Sequence, residues 1–195
     1  MKKIKIIGSL LLLFTAISFT SCENEPIDSA IDLDDFGGNN GGNGNNNGVF
    51  KVDIDGVTFT ASTINATKIS QPFSIYQIAG IATAGGVTKS VMIQIKDNGT
   101  NNYLTGTGPN GPEDAEIGYF PNVLEPDTVY TSDDFDDIDN STGSLTITAN
   151  DIVSKKISGT FNCTVYLLNP DDGSVVGSKT LSNGVFTDVT YTLTN

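Results

Sequence analysis

The amino-acid sequence predicts an all-β domain over residues 49–195, built as a single antiparallel β-sandwich or a closed β-barrel of about ten to twelve strands. Short runs rich in Thr, Val, Ile, Phe and Tyr alternate apolar with polar residues, and clusters of Gly, Asn and Asp separate them. No stretch has helical periodicity of useful length. Because the connections are too short for crossover helices, we expect antiparallel pairing. The choice between sandwich and barrel stays open.

Residues 1–21 have the pattern of a secretory signal peptide. Three lysines within the first five residues form a basic start, residues 6–20 form a mostly apolar run, and small residues lead to Cys22. This run is shorter than the roughly 20 apolar residues that span a bilayer. A cysteine directly after the cleavage site is typical of a bacterial lipoprotein signal, so we expect Cys22 to be the acylated first residue of the mature chain. The alternative is an ordinary signal peptide that ends near a cysteine.

Residues 22–48 predict a lipidated cysteine followed by a disordered tether. Six acidic residues lie within 23–35, and the run 37–48 contains only Gly and Asn. So little apolar content cannot offset the entropy of ordering the chain. A flexible chain of this length has a mean span of roughly 28 Å, which is enough to hold the domain clear of the lipid headgroups.

The segment 49–61 predicts a β-hairpin. Asp55-Gly56 supplies a two-residue turn with positive φ, and alternating apolar residues share one face of each strand. These residues are Phe50, Val52 and Ile54 in the first strand and Val57, Phe59 and Ala61 in the second. Further strands are predicted at 63–69, 74–83, 88–96, 102–105, 116–120, 128–132, 143–149, 156–168, 175–182 and 185–193. Turn compositions occur at 85–86, 97–99, 169–173 and 182–184.

The strand predicted at 156–168 indicates on which face the Cys163 side chain lies. Alternation places its thiol on the same face as Ile157, Phe161 and Val165. Nothing nearby in sequence lowers its pKa, so we interpret Cys163 as a buried small hydrophobe and not as a nucleophile. With Cys22 committed to lipid, it has no intrachain disulfide partner.

Composition excludes several function classes. Without residues 1–21 the chain has seven lysines against 23 acidic residues, a formal net charge of −16, and it contains no arginine and no histidine. Nucleic acid is therefore excluded as a partner, because phosphate binding needs clustered Lys or Arg. Ser-His-acid triads, Cys-His dyads and His-containing zinc sites cannot be built. We expect no cofactor, no enzymatic activity and a monomeric chain.

Acidic residues offer two weaker candidate sites. The segment 133–139 with Asp127 is dense in aspartate, and crowded carboxylates can bind calcium. The spacing does not match an EF-hand, however, and a solvated acidic loop between strands is the preferred interpretation. A glycosidase needs two facing carboxyls, and no spacing selects a pair among Glu113, Glu116, Glu125 and the aspartates. Tryptophan is absent, so sugar stacking would fall to the six tyrosines, Tyr76, Tyr103, Tyr119, Tyr130, Tyr166 and Tyr191.

Three segments carry a family resemblance: 52–61, 157–161 and 183–186. Together with the lipoprotein signal and the Gly/Asn tether, they resemble a family of uncharacterised all-β lipoproteins from Gram-negative, gliding and gut-dwelling bacteria. The family has no assigned activity, so the resemblance implies no catalytic or binding residues. It implies that acidic residues just after Cys22 can mark export to the outer face of the outer membrane. It also marks Ser29 and Thr128 as candidate O-glycosylation acceptors.

The sequence therefore predicts a lipid-anchored outer-membrane lipoprotein, on the surface or the periplasmic face, that acts as a non-catalytic binding or envelope-structural module. Its ligand-facing parts are expected in the long segments 97–118 and 121–142. Candidate partners are a glycan, an envelope protein or a small apolar ligand. One alternative is a calcium-dependent adhesin or carbohydrate-binding module that uses 133–139. The others are a lipocalin-like carrier and a hydrolase with an aspartate pair.

Overall fold

Strands make up most of the folded region. The structure, a computed structural model, describes residues 48–70, 74–97, 101–106, 115–125, 128–132 and 142–194. These residues belong to one compact unit, Asn45–Asn195, and they contain no α-helix. The all-β prediction and the expected strand number are confirmed. The strands are β1 (Val49–Ile54), β2 (Val57–Thr60), β3 (Thr63–Ile69), β4 (Ile75–Ala84), β5 (Val87–Lys96), β6 (Asn102–Thr105), β7 (Ala115–Phe120), β8 (Tyr130–Thr131), β9 (Gly143–Asp151), β10 (Lys156–Leu168), β11 (Val175–Thr190) and β12 (Thr192–Thr194).

Five of these strands close into a barrel. β7 pairs with β6, β6 with β9, β9 with β10, β10 with β8, and β8 pairs back with β7. The other strands extend the sheet outside the barrel, with β5, β4, β3 and β12 following β7 and with β11, β1 and β2 following β10. Strands of the barrel supply the fully buried Ile117, Leu145 and Val165 to one continuous hydrophobic core. The fold is thus a small closed barrel with additional strands.

The first hairpin forms as the sequence predicts. β1 and β2 pair with Ile54 opposite Val57, and the turn residues Asp55 and Gly56 have φ values of 50° and 79°. Phe50 is buried, as expected for its face. Val57 is the exception, since 72% of it is exposed. It lies directly after the turn, opposite the half-buried Ile54.

The predicted turn at 182–184 is wrong, because β11 runs without reversal from Val175 to Thr190. Both halves of β11 pair with the same neighbours, β10 and β1, and both registers shift near this point. Asn183 has a φ of 53°, and a Cβ at Gly184 would lie 2.7 Å from the Phe161 ring. The Asn-Gly pair therefore forms a bulge that lets an aromatic ring pack on the strand, and not a hairpin turn.

Two strand pairs are parallel, which differs from the expectation of antiparallel pairing throughout. β12 pairs with β3 over three residues, and β6 pairs with β7 through Thr105 and Ala115 alone. β12 comes from the opposite end of the chain, so no crossover helix is needed between it and β3. A single residue pair between β6 and β7 likewise allows a short connection.

The phase of β10 matches its sequence pattern. Ile157, Phe161, Cys163 and Val165 are all buried, and Cys163 is only 4% exposed. The interpretation of Cys163 as a buried thiol is therefore confirmed. Among the described residues, no helix has the length and apolarity that crossing a bilayer requires.

Candidate functional site

Several predicted site residues lie outside the described part of the chain. They are the lipid-attachment residue Cys22, the acceptor Ser29 and the acidic segment 133–139 with Asp127. Lipidation thus stays a prediction, and calcium binding stays an alternative. Within the described ranges, no group of three or more His, Cys, Asp or Glu is placed to hold a metal ion.

The second predicted O-glycosylation acceptor, Thr128, is described and half-buried. Its hydroxyl donates a hydrogen bond of 2.8 Å to the carbonyl oxygen of Glu125. Its backbone N–H donates to the same oxygen at 3.1 Å. Glycosylation would have to replace the hydroxyl contact, and the prediction is otherwise untested.

The segments expected to be ligand-facing, 97–118 and 121–142, supply three strands of the barrel. β6 and the first part of β7 lie in the first segment, and β8 lies in the second. Parts of both segments are therefore structural. The described part of 121–142 also contains Tyr130, which lies at the centre of the best candidate for a binding surface.

The tyrosines are mostly core residues and not surface platforms. Tyr76, Tyr103, Tyr119 and Tyr191 are buried, so the idea that all six are available for sugar stacking is wrong for these four. Only Tyr130 and Tyr166 are half-buried. The physical reason is that alternation in the strands directs the other four rings toward the core.

Tyr130 is the centre of a small surface that we call the Tyr130 patch, formed by Asp55, Tyr130, Gly177 and Lys179. β8 positions the tyrosine opposite Leu167 of β10, and Leu167 in turn lies opposite Gly177 of β11. A Cβ at Gly177 would lie 3.8 Å from both an edge carbon and the hydroxyl oxygen of Tyr130, so the ring lies across this glycine. Beneath the patch, the Tyr119 ring packs against Tyr130 at a centroid distance of 6.0 Å.

An ion pair borders the ring. Lys179 Nζ lies 2.7 Å from Asp55 Oδ2 and 6.0 Å from the centroid of Tyr130. The backbone N–H of Thr180 donates to the other oxygen of Asp55 at 2.9 Å. Hydrogen bonds from Lys179 and Thr180 lower the pKa of Asp55, and the bond with Asp55 raises the pKa of Lys179. Both groups are therefore charged at neutral pH, and neither is tuned to exchange protons there.

The Tyr130 patch can recognise a ligand but is poorly suited to chemistry. It offers part of an aromatic ring beside a fixed carboxylate and a fixed ammonium, which suits a ligand with both apolar faces and hydroxyl groups. Burial raises the pKa of Tyr119, so this phenol stays neutral. An acid or base matched to neutral pH is not among these groups.

The patch combines residues from a turn, a two-residue strand and a long strand, so no sequence motif marks it. One signal was available. Gly177 interrupts the strand-like run from Val175 to Lys179, and a lone glycine in a strand often marks the close approach of another group. The sequence does not say which group approaches.

A second polar cluster lies around Lys68 of β3, outside the barrel. Its ammonium donates to Asp97 at 2.7 Å and to the Tyr76 hydroxyl at 2.9 Å, and Asn150 donates to that hydroxyl at 2.9 Å. Burial works to lower the pKa of Lys68, but the bonds with Asp97 and Tyr76 outweigh it and raise this pKa above its ordinary value. Lys68 therefore stays protonated and serves as a cross-link between strands, not as a nucleophile or base.

Two other groups with reactive potential are also engaged. Burial raises the pKa of the Cys163 thiol to about 12, so the reactive thiolate is scarce. The side chain of Glu125 accepts a hydrogen bond from Asn122 at 2.9 Å. Of the other two glutamates considered for glycosidase chemistry, Glu116 is half-buried on β7 and Glu113 lies outside the described residues.

The fold and these sites define an all-β domain with a five-strand barrel, in which Cys163 is buried and Lys68 and Lys179 are ion-paired. The model of one sequence family, described as Domain of unknown function (DUF6252), matches residues 46–190. The chain belongs to this family. No curated protein and no solved structure matches it significantly. The expected resemblance to an uncharacterised domain family is thus confirmed, while the lipoprotein signal and the tether stay predictions.

Proposed function

We propose that this chain is a lipid-anchored lipoprotein of the outer membrane whose β-domain is a non-catalytic module that binds a glycan through the Tyr130 patch. The anchor is supported by the basic start, the apolar run and Cys22 in the sequence. The binding role rests on one observation. A partly exposed aromatic ring is held beside two fixed charges, Asp55 and Lys179, whose shifted pKa values keep them charged.

We propose a non-catalytic role because the side chains best suited to act as nucleophile, acid or base are missing, buried or ion-paired in the described part of the chain. The chain contains no histidine. Cys163 is buried, and the pKa values of Lys68 and Lys179 are raised by their carboxylate partners. General acid–base chemistry near neutral pH needs groups whose pKa values lie near that pH.

A lipocalin-like carrier is not proposed. Barrels of about eight strands have interiors just wide enough for side chains or for one small ligand. The closed ring here has five strands and is narrower. Its strands also contribute fully buried side chains to the continuous core. A small apolar ligand inside the barrel is therefore unfavourable on geometric grounds.

Lipidation is tested with Cys22→Ala in the native host. We expect the unsubstituted chain to incorporate radiolabelled palmitate and to fractionate with the outer membrane. The variant should lose the label and be released in soluble form. A variant that still partitions with the envelope would refute the anchor.

Glycan binding is tested by titrating envelope-derived and dietary polysaccharides against the chain and against Tyr130→Ala. Removing an aromatic stacking partner should weaken binding about fivefold, from the roughly 1 kcal/mol that such contacts contribute. Tyr166→Ala is the matched control, because Tyr166 is also a half-buried tyrosine but lies on the opposite face of β10 from Leu167. Equal affinity of the Tyr130→Ala variant and the parent chain would rule out the patch as the binding surface.

A further inference from the structure

The hairpin tip between β9 and β10 exposes two large aliphatic side chains. Ile152 is 72% exposed and Val153 is 89% exposed. The turn is held by Asp151, whose carboxylate accepts hydrogen bonds from the N–H groups of Val153 at 2.9 Å and Ser154 at 3.1 Å. Two adjacent exposed aliphatic side chains at a hairpin tip supply apolar area that a membrane or a partner can cover.

The charge next to this tip is unusual for the chain. Lys155 and Lys156 follow the aliphatic pair, and they are the only adjacent lysines after Cys22 in a mature sequence of net charge −16. Lys155 is exposed. An apolar pair with neighbouring cations is complementary to an anionic bilayer surface, where the lysines meet phosphates and the aliphatic groups enter the boundary of the acyl chains.

The position of the tip agrees with this partner. The chain enters the described domain at Gly48, which lies against the backbone of Asp188 on β11. The N–H of Asp188 donates to Ser158 near the start of β10, only a few residues after the tip. The predicted tether from Cys22 therefore joins the domain at the same end of β10 and β11 as the Ile152-Val153 tip.

The opposite end of β10 and β11 has acidic residues beside its exposed aliphatic side chains. Val175 and Val176 are also exposed there, by 50% and 58%, but Asp171 and Asp172 occupy the adjoining turn. Anionic headgroups repel such a turn. The Tyr130 patch lies toward this acidic end, since its Asp55 directly follows Ile54, the last residue of β1. At the tip end Lys155 and Lys156 balance the carboxylates of Asp151 and Asp188, whereas at the other end Asp55, Asp171 and Asp172 outnumber Lys179. The two ends of the domain therefore differ in charge.

We propose that the Ile152-Val153 tip, with Lys155 and Lys156, is a second membrane contact that docks the domain on the anionic phospholipid bilayer carrying its lipid anchor. This inference rests on the anchor in the proposed function. It orients the domain with the tip on the bilayer and with the Tyr130 patch directed away from it. The lipid anchor holds the chain near the membrane, and the Ile152-Val153 tip determines which end of the β-domain faces the bilayer.

The test places an environment-sensitive fluorophore at Val153→Cys in the acylated chain. Vesicles of phosphatidylcholine with phosphatidylglycerol carry the protein, and Val176→Cys is the matched control. Cys163 does not interfere because it is buried. The probe at 153 should shift to the blue and be quenched by spin-labelled lipid, whereas the probe at 176 should behave as in water. Lys155→Glu with Lys156→Glu should reduce the quenching at 153 at least tenfold.

A probe at 153 that stays in water while the protein is acylated and vesicle-bound would overturn the second contact and leave the anchor intact. Equal quenching at 153 and 176 would also overturn it, because the domain would then have no preferred end. Palmitate incorporation, measured on the same preparation, reports the anchor separately. If the anchor fails, sedimentation of the Cys22→Ala chain with anionic vesicles tests the tip alone, and loss of sedimentation in the lysine double variant would support it.

Discussion

The burial of Cys163 makes its reactivity a quantitative test of the strand assignment. The thiolate is the form that reacts with alkylating reagents. Burial raises the thiol pKa from 9.0 to about 12. At a constant pH, the thiolate fraction falls about tenfold for each unit by which the pKa rises. Cys163 at pH 8 therefore has about a thousandfold less thiolate than an ordinary cysteine. Its 4% exposure slows attack further.

The assay compares iodoacetamide labelling at pH 8 in two chains that both carry Cys22→Ala. One retains Cys163 as its single thiol. The other carries Cys163→Ala and Val153→Cys, which places the single thiol at an 89% exposed position. We expect the folded chains to differ at least a thousandfold in rate. In urea the two rates should converge, because unfolding removes the burial.

The same shift has a consequence for stability at high pH. The folded state holds the Cys163 proton between pH 9 and 12, whereas the unfolded state releases it. The contribution of this thiol to stability is therefore fully present below pH 9 and is lost by about 1.4 kcal/mol per pH unit between pH 9 and 12. Lysines and tyrosines titrating in this range affect both proteins, so the difference between parent and Cys163→Ala isolates the thiol. Labelling of folded Cys163 at the rate of the exposed thiol would refute the strand phase.

Three further predictions concern packing, the cross-link and the acidic segment. Gly184→Ala should cost about 1–3 kcal/mol of unfolding free energy because its Cβ would meet the Phe161 ring at 2.7 Å, and an unchanged denaturation midpoint would contradict this packing. Lys68→Met should lower stability by about 2 kcal/mol in urea denaturation through loss of its ion pair, whereas the exposed control Lys89→Met should stay within about 0.5 kcal/mol. Calcium titration by calorimetry should show no saturable heat below millimolar concentration, since 133–139 lacks EF-hand spacing, and a saturating isotherm would favour the adhesin alternative.

Turn residues and apolar alternation, which are local features of the sequence, predicted most of the strands. The hairpin at 49–61 was predictable because its turn residues and its alternation agree, and β10 was predictable because thirteen residues keep one phase. The prediction failed at Asn183-Gly184, where the same dipeptide that makes a hairpin turn forms a bulge. What decides between them is the presence of β10 and β1 beside both halves of β11, and that information is not local.

Barrel closure and the Tyr130 patch were beyond the reach of sequence patterns for the same reason. Closure depends on β8, which has only two residues and pairs with both β10 and β7. The patch depends on Asp55 meeting Lys179, a contact across 124 positions of the chain. Sequence periodicity reports which face of a strand is buried, and it does not report which strands become neighbours.

Strands from the beginning of the β-domain pair with strands from its end, and this affects how the domain folds. β3 pairs with β12, and Thr67 can contact Thr192 only once the chain has been synthesised to a point 125 positions further on. β1 likewise finds its partner in β11. Such high contact order makes folding slow. In the proposed lipoprotein, a chain that crosses a membrane amino end first can therefore complete neither ladder on the far side until β11 and β12 have crossed as well.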